Sequence, residues 1–88
     1  MQHAVLTDLH AKFEQFLRER GKANATVIAY SKDIEQLVEF VGEKGKTLAA
    51  EVTADDIDEF KNVYKQRRYT SKSISRKINS IKAFFRYL

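Results

Sequence analysis

Cysteine, proline and tryptophan are missing from this 88-residue sequence, and glycine occurs three times. Without cysteine there are no disulfides, no thiolate metal sites and no cysteine nucleophile. Without proline, the breaks between helices must come from glycine and from polar capping residues. No stretch approaches the roughly 20 apolar residues of a membrane span. The opening MQHAVLTDLH lacks the basic start and apolar run of a secretion signal. The expectation is a soluble, cytoplasmic chain. Acid is also missing where it matters. Residues 61–88 hold nine Lys/Arg and no Asp or Glu, a net of +9, whereas residues 1–60 hold seven against twelve, a net of −5. Ordinary surface helices mix the two signs, so a one-signed segment points to a polyanionic partner.

What is present suffices for a core. Hydrophobic residues make up 43% of the chain, which argues against disorder. A chain of this size buries roughly 60–65% of its unfolded surface, enough for one domain spanning residues 1–88. Apolar residues recur at helical spacing in four stretches, and no alternating strand pattern occurs. A first helix, about 8–20, has Thr7 as its cap, Gly21 as its stop and Leu6, Leu9, Phe13, Phe16 and Leu17 as its stripe. A second, about 25–41, lies between Asn24 and Gly42 and carries Val27, Tyr30, Ile34, Leu37, Val38 and Val41. The third, about 54–68, begins with a capping box from Thr53 to Asp56 and buries Ile57, Phe60 and Tyr64. The fourth, about 72–88, follows Thr70 or Ser71, with Ile74, Ile78, Ile81, Phe85 and Leu88 as its seam. The fold class is all-α, a compact four-helix bundle.

Opposite that seam the fourth helix shows Lys72, Arg76, Asn79, Ala83 and Arg86. Ser75 and Lys82 lie on one flank, Ser73 and Ser80 on the other. Each type has a use on duplex DNA. Lys and Arg neutralise phosphates, hydroxyls and N-terminal amides bond phosphate oxygens, and Asn pairs with adenine in the major groove. The second helix carries Ala25, Ala29 and Lys32 before turning acidic at Glu35, Glu39 and Glu43, so only its first half suits DNA.

Other signals point elsewhere. The acids Asp55, Asp56, Asp58 and Glu59 occupy a first helical turn, where the helix dipole and capping favour them, so no metal is expected. His3 and His10 have no matching ligand pair and read as surface residues. Tyr30, Tyr64, Tyr69 and Tyr87 mostly lie on or beside apolar seams. No Gly-rich phosphate loop, zinc spacing or nucleophile–base pair occurs, so no cofactor, small-molecule ligand or catalytic residue is expected in this chain.

Three motifs carry a resemblance. NATVIAYSKDIEQLVEF, with Thr26, Tyr30, Asp33-Ile34, Leu37 and Phe40, resembles the second helix of the core-binding domain of tyrosine recombinases, the phage-integrase family. VTADDIDEF resembles its third helix. SISRKINSIKAFFRYL resembles its fourth, with Ile74, Arg76-Lys77-Ile78, Ile81-Lys82, Phe84-Phe85 and Tyr87-Leu88 in place. The resemblance covers nearly the whole chain from Leu6 onward and implies a SAM-like bundle forming half of a clamp on a recombination site. It implies DNA contacts at Ala25, Thr26, Ala29 and Lys32 on the second helix. On the fourth it implies Ser71, Lys72, Ser73, Arg76, Asn79, Lys82 and Arg86. Double-stranded DNA and other recombinase protomers are the implied partners. The family's catalytic Arg, His and nucleophilic Tyr belong to a separate domain, so this chain is expected to be a non-enzymatic fragment of a recombinase. Tyr87 matches a structural aromatic.

Two other classes compete. A helix-turn-helix regulator would show a tight turn before a short recognition helix, which is not found. A protein-interaction bundle, or a basic helix for acidic membranes, would leave an apolar face free.

Overall fold

The computed structural model describes residues 5–88; His3 lies outside the described residues. Four helices follow one another: α1 (Leu6–Glu19), α2 (Asn24–Gly42), α3 (Ala54–Gln66) and α4 (Ser71–Tyr87), with a single 3-10 turn at Ala49–Glu51 between α2 and α3. Among the described residues no strand forms. The expected all-α four-helix bundle is the observed fold.

The expected ends shift by one or two residues, for physical reasons. Thr7 does not cap α1; the helix begins two residues earlier, after Val5. Val5 forms an isolated antiparallel bridge with Leu48, and the Leu6 amide donates to the Thr47 carbonyl at 2.8 Å. A loop distant in sequence thus satisfies an amide that a side-chain cap would otherwise serve. Asn24 likewise does not cap α2. Its Oδ1 accepts from Arg18 Nη1 at 3.1 Å, and the helix starts at Asn24 itself after Ala23. The capping box of α3 forms as expected, with Asp56 N donating to Thr53 Oγ1 at 3.2 Å and Thr53 N to Asp56 Oδ2 at 2.9 Å. Thr70 caps α4 through Ser73 N at 3.1 Å.

Three helix ends close with the same device, a left-handed residue followed by an amide reaching back five positions. Gly21 has φ 76° and Lys22 N donates to Leu17 O; Gly45 has φ 81° and Lys46 N donates to Val41 O. Gly45, rather than Gly42, therefore makes the reversal after α2. At the end of α3 that position is held by Arg68, with φ 63°, and Tyr69 N donates to Tyr64 O.

The core is aromatic at both ends of α4. Phe13 meets Phe84 edge-on at 5.3 Å and Tyr87 at 5.5 Å. Phe60 packs against Phe40 at 5.7 Å and Tyr64 at 4.7 Å. The expected seam of α4 requires correction. Ile74 and Ile81 are buried, but so are Lys77, Ser80 and Phe84, whereas Ile78, Phe85 and Leu88 are half-buried. α4 packs against all three other helices, so its covered arc is wider than one stripe and is centred toward Lys77 and Phe84. Ser80, expected on an outer flank, is completely buried.

Candidate nucleic-acid interface

The helix α4, whose charged residues are all basic, is fixed to α2 by one carboxylate. Asp33, with no exposed surface, accepts four hydrogen bonds from α4. Arg76 approaches side-on, with Nε 3.1 Å from Oδ2 and Nη2 2.9 Å from Oδ1. Lys77 Nζ lies 3.1 Å from Oδ1, and Ser80 Oγ donates to Oδ2 at 2.8 Å. Lys77 Nζ also donates to Gln36 Oε1 and sits over the rings of Tyr64 and Tyr69, at 5.0 and 5.2 Å. A buried ammonium needs this many partners, because an uncompensated charge in the interior costs several kcal/mol. The Asp33 carboxylate also raises the Arg76 pKa above its already high value, so that side chain stays charged at any ordinary pH.

This cluster was not anticipated from sequence. Two of the nine cations in residues 61–88, Arg76 and Lys77, are paired within the fold. Arg76 keeps 45% of its side chain exposed, so it both anchors α4 and reaches the surface. The signal was present: Tyr30, Asp33 and Leu37 are spaced three and four apart, which puts this carboxylate on the inner side of α2.

The outward side of α4 consists of Ser71, Lys72, Ser75, Asn79, Lys82 and Arg86, all exposed. Ser73 and Ala83 are half-buried at its edges, Ser73 through its place in the cap. On α2, Ala25 and Lys32 are exposed while Thr26 and Ala29 are half-buried. Ile28 lies beside them with 54% of its surface exposed, an apolar group on this face that the seam analysis did not place. The structure thus puts the expected residues on two helices packed side by side, joined through Asp33 and Arg76. It spreads the far end of the set. Lys82 borders an apolar cleft with Val52, Ile57, Ile78 and Phe85, and Arg86 borders a different one with α1.

The acidic start of α3 has another role. Asp56, almost fully buried, receives Lys44 Nζ at 2.7 Å and Lys46 Nζ at 2.6 Å besides the Thr53 amide. Those contacts, Lys44 foremost, hold its pKa far below the usual carboxylate range, while Asp56 and Glu59 raise that of Lys44. His10, expected as a plain surface residue, is half-buried with Nε2 2.9 Å from Ser31 Oγ. Tyr87 lies against Phe16 at 4.7 Å, and burial raises the Tyr64 pKa.

Residues 11–88 match the family described as phage integrase, N-terminal SAM-like domain. The chain belongs to that family. It is 36% identical over 84 residues to the tyrosine recombinase XerC of Herpetosiphon aurantiacus, covering 91% of this chain and 28% of that protein. XerC of Roseiflexus sp. (strain RS-1) is 33% identical over 84 residues, covering 91% and 27%. XerD of Agrobacterium fabrum is 30% identical over 82 residues, covering 89% and 24%. The chain spans about a quarter of the length of these curated relatives. No solved structure gives a significant match. No helix among the described residues is long and apolar enough to cross a membrane.

Proposed function

We propose that this member of the phage-integrase SAM-like family is the DNA-binding module of a site-specific tyrosine recombinase. On this reading the first half of α2 and the outward side of α4 meet the major groove, and other protomers of the recombinase are its protein partners. The observation that carries the reading is the acid-free outer side of α4, locked to α2 through Asp33 so that both helices present one surface. Lys72, Lys82 and Arg86 neutralise phosphates; Ser71 and Ser73 lie at the α4 N-terminus, where hydroxyls and amides suit phosphate oxygens. Arg76, already balanced by Asp33, releases fewer counterions and instead directs its exposed edge toward the groove. Asn79, uncharged and central, is the residue placed to read a base. Ala25, Thr26 and Ala29 let α2 approach closely, Lys32 adds a phosphate contact, and Ile28 suits a thymine methyl.

Strand cleavage and rejoining belong, on this reading, to the region of the relatives that this chain does not cover. Burial disfavours the Tyr64 phenolate, and Tyr87 is held among Phe13 and Phe16. We expect no covalent adduct between this chain and DNA; a tyrosine-linked adduct found by mass spectrometry would contradict that.

Titration of duplex DNA across a salt series tests the reading. Lys72→Ala should weaken binding to all sequences and lower the log–log salt slope by about 1. Asn79→Ala should leave the slope nearly intact while cutting discrimination by about 1–3 kcal/mol at one base pair. Binding to anionic vesicles in place of DNA would favour the membrane alternative.

A further inference from the structure

We propose that the cleft where the end of α1 meets the end of α4 seats a DNA phosphate, extending the contact surface beyond α2 and α4 to the α1–α2 turn. The proposal rests on the DNA-binding reading above. The cleft, about 540 Å³, has Phe16, Tyr30 and Tyr87 in its lining and Arg20, Lys22 and Arg86 as its cations, and no carboxylate contributes to it. All three cations are exposed, and none makes an ion pair among the described residues. That sets them apart from Arg18, Lys44, Lys46, Arg76 and Lys77, each of which has a carboxylate partner.

Their placement is built into the turn. Gly21 takes the left-handed conformation that closes α1, and the Lys22 amide donates back to Leu17 O at 3.2 Å, so Arg20 and Lys22 flank a fixed reversal. The Arg20 guanidinium is steadied 5.5 Å from the centre of the Phe16 ring. Arg86 arrives on the last turn of α4, next to Tyr87, whose own ring packs on the same Phe16 ring at 4.7 Å. Three like charges around an aromatic surface repel one another, and the low-polarity wall strengthens their joint field. An anion between them removes that repulsion. The neighbouring surface decides which anion. Ala83 and Arg86 belong both to this cleft and to the α4 row that runs through Asn79, at spacings of four and three. Ala25 and Thr26 follow the turn directly on α2. A backbone lying along α4 therefore runs onto this rim, and its phosphates have the charge the rim requires.

The test uses the 88-residue chain and a mixed-sequence DNA duplex across a salt series. The double variant Arg20→Ala/Lys22→Ala should lose about tenfold or more in affinity at low salt and about 2 in log–log slope. Lys12→Ala, exposed on α1 outside the cleft, should change neither. Should truncation disturb the packing on Phe16, Arg20→Gln/Lys22→Gln removes the charges and keeps the stems. A folded double variant with unchanged affinity and slope, while Lys72→Ala still lowers the slope, overturns the phosphate seat and leaves the α2–α4 reading standing. That is also the outcome if the rim serves an acidic protein segment. If no variant changes the slope, the DNA reading falls and the seat with it.

Discussion

A single carboxylate, Asp33, determines how the most basic helix sits. Removing it would leave Lys77 charged and buried with only Gln36 and two rings for company. Asp33→Ala is therefore expected to cost about 3–5 kcal/mol in chemical denaturation, the range for breaking a buried pair. Arg76→Ala, removing a half-exposed partner, should cost only about 1 kcal/mol. Equal losses for the two would mean that Lys77 does not depend on Asp33. Asp56 adds a pH dependence. Its folded pKa lies below its unfolded value of roughly 4, so its stabilisation is complete above that value and is lost as pH falls toward the folded one. Thermal unfolding should thus move to lower temperature below about pH 4, and Asp56→Asn should flatten that dependence. An unchanged acid limb in the variant would show that other carboxylates govern it.

Among the elements, α4 and the end of α3 make the sharpest tests. Phe84, fully buried against Phe13 of α1, should cost about 3–5 kcal/mol on replacement by Ala. Ile78→Ala should cost clearly less, because Ile78 borders an open cleft; the reverse order would restore the simple seam. Arg68 holds a left-handed conformation that glycine adopts without the Cβ clash, so Arg68→Gly should stabilise by about 1 kcal/mol. A loss of stability there would mean the Arg68 side chain makes a compensating contact. All four helices were legible in the sequence because their apolar residues recur at helical spacing between glycine or polar stops. The starts of α1 and α2 were not, since the 47–48 loop and Arg18 take the groups that local rules assign to caps. The free cations of α4 were equally legible. The Asp33 cluster was not, because one carboxylate in a helix that also carries Glu35 and Glu39 looks like surface charge until α4 is laid against it. Composition revealed the lack of acid in residues 61–88 but not that Arg76 and Lys77 borrow theirs from α2.

At the scale of the whole molecule, charge is divided. The acids lie within residues 1–60, and several neutralise Lys44, Lys46, Arg76 and Lys77 internally. Of the cations outside these pairs, Lys72, Lys82 and Arg86 lie on the outward side of α4, Arg20 and Lys22 at the α1–α2 turn, Lys32 on α2, Lys12 on α1, and Lys61, Lys65, Arg67 and Arg68 on α3 or just past its end. Binding by such a surface is dominated by phosphate neutralisation, so affinity for duplex DNA should fall steeply as salt rises. It should also be modest, since a module acting alone lacks the effective concentration that a linked partner domain supplies. The most direct measurement is an NMR titration of the chain with duplex DNA at low salt, following each backbone amide. The account predicts the largest shifts at residues 20–32 on the α1–α2 turn and first half of α2, and at Ser71, Lys72, Ser75, Asn79, Lys82 and Arg86 on α4, with α3 nearly silent. Largest shifts on α3, or shifts spread evenly over the surface, would contradict it.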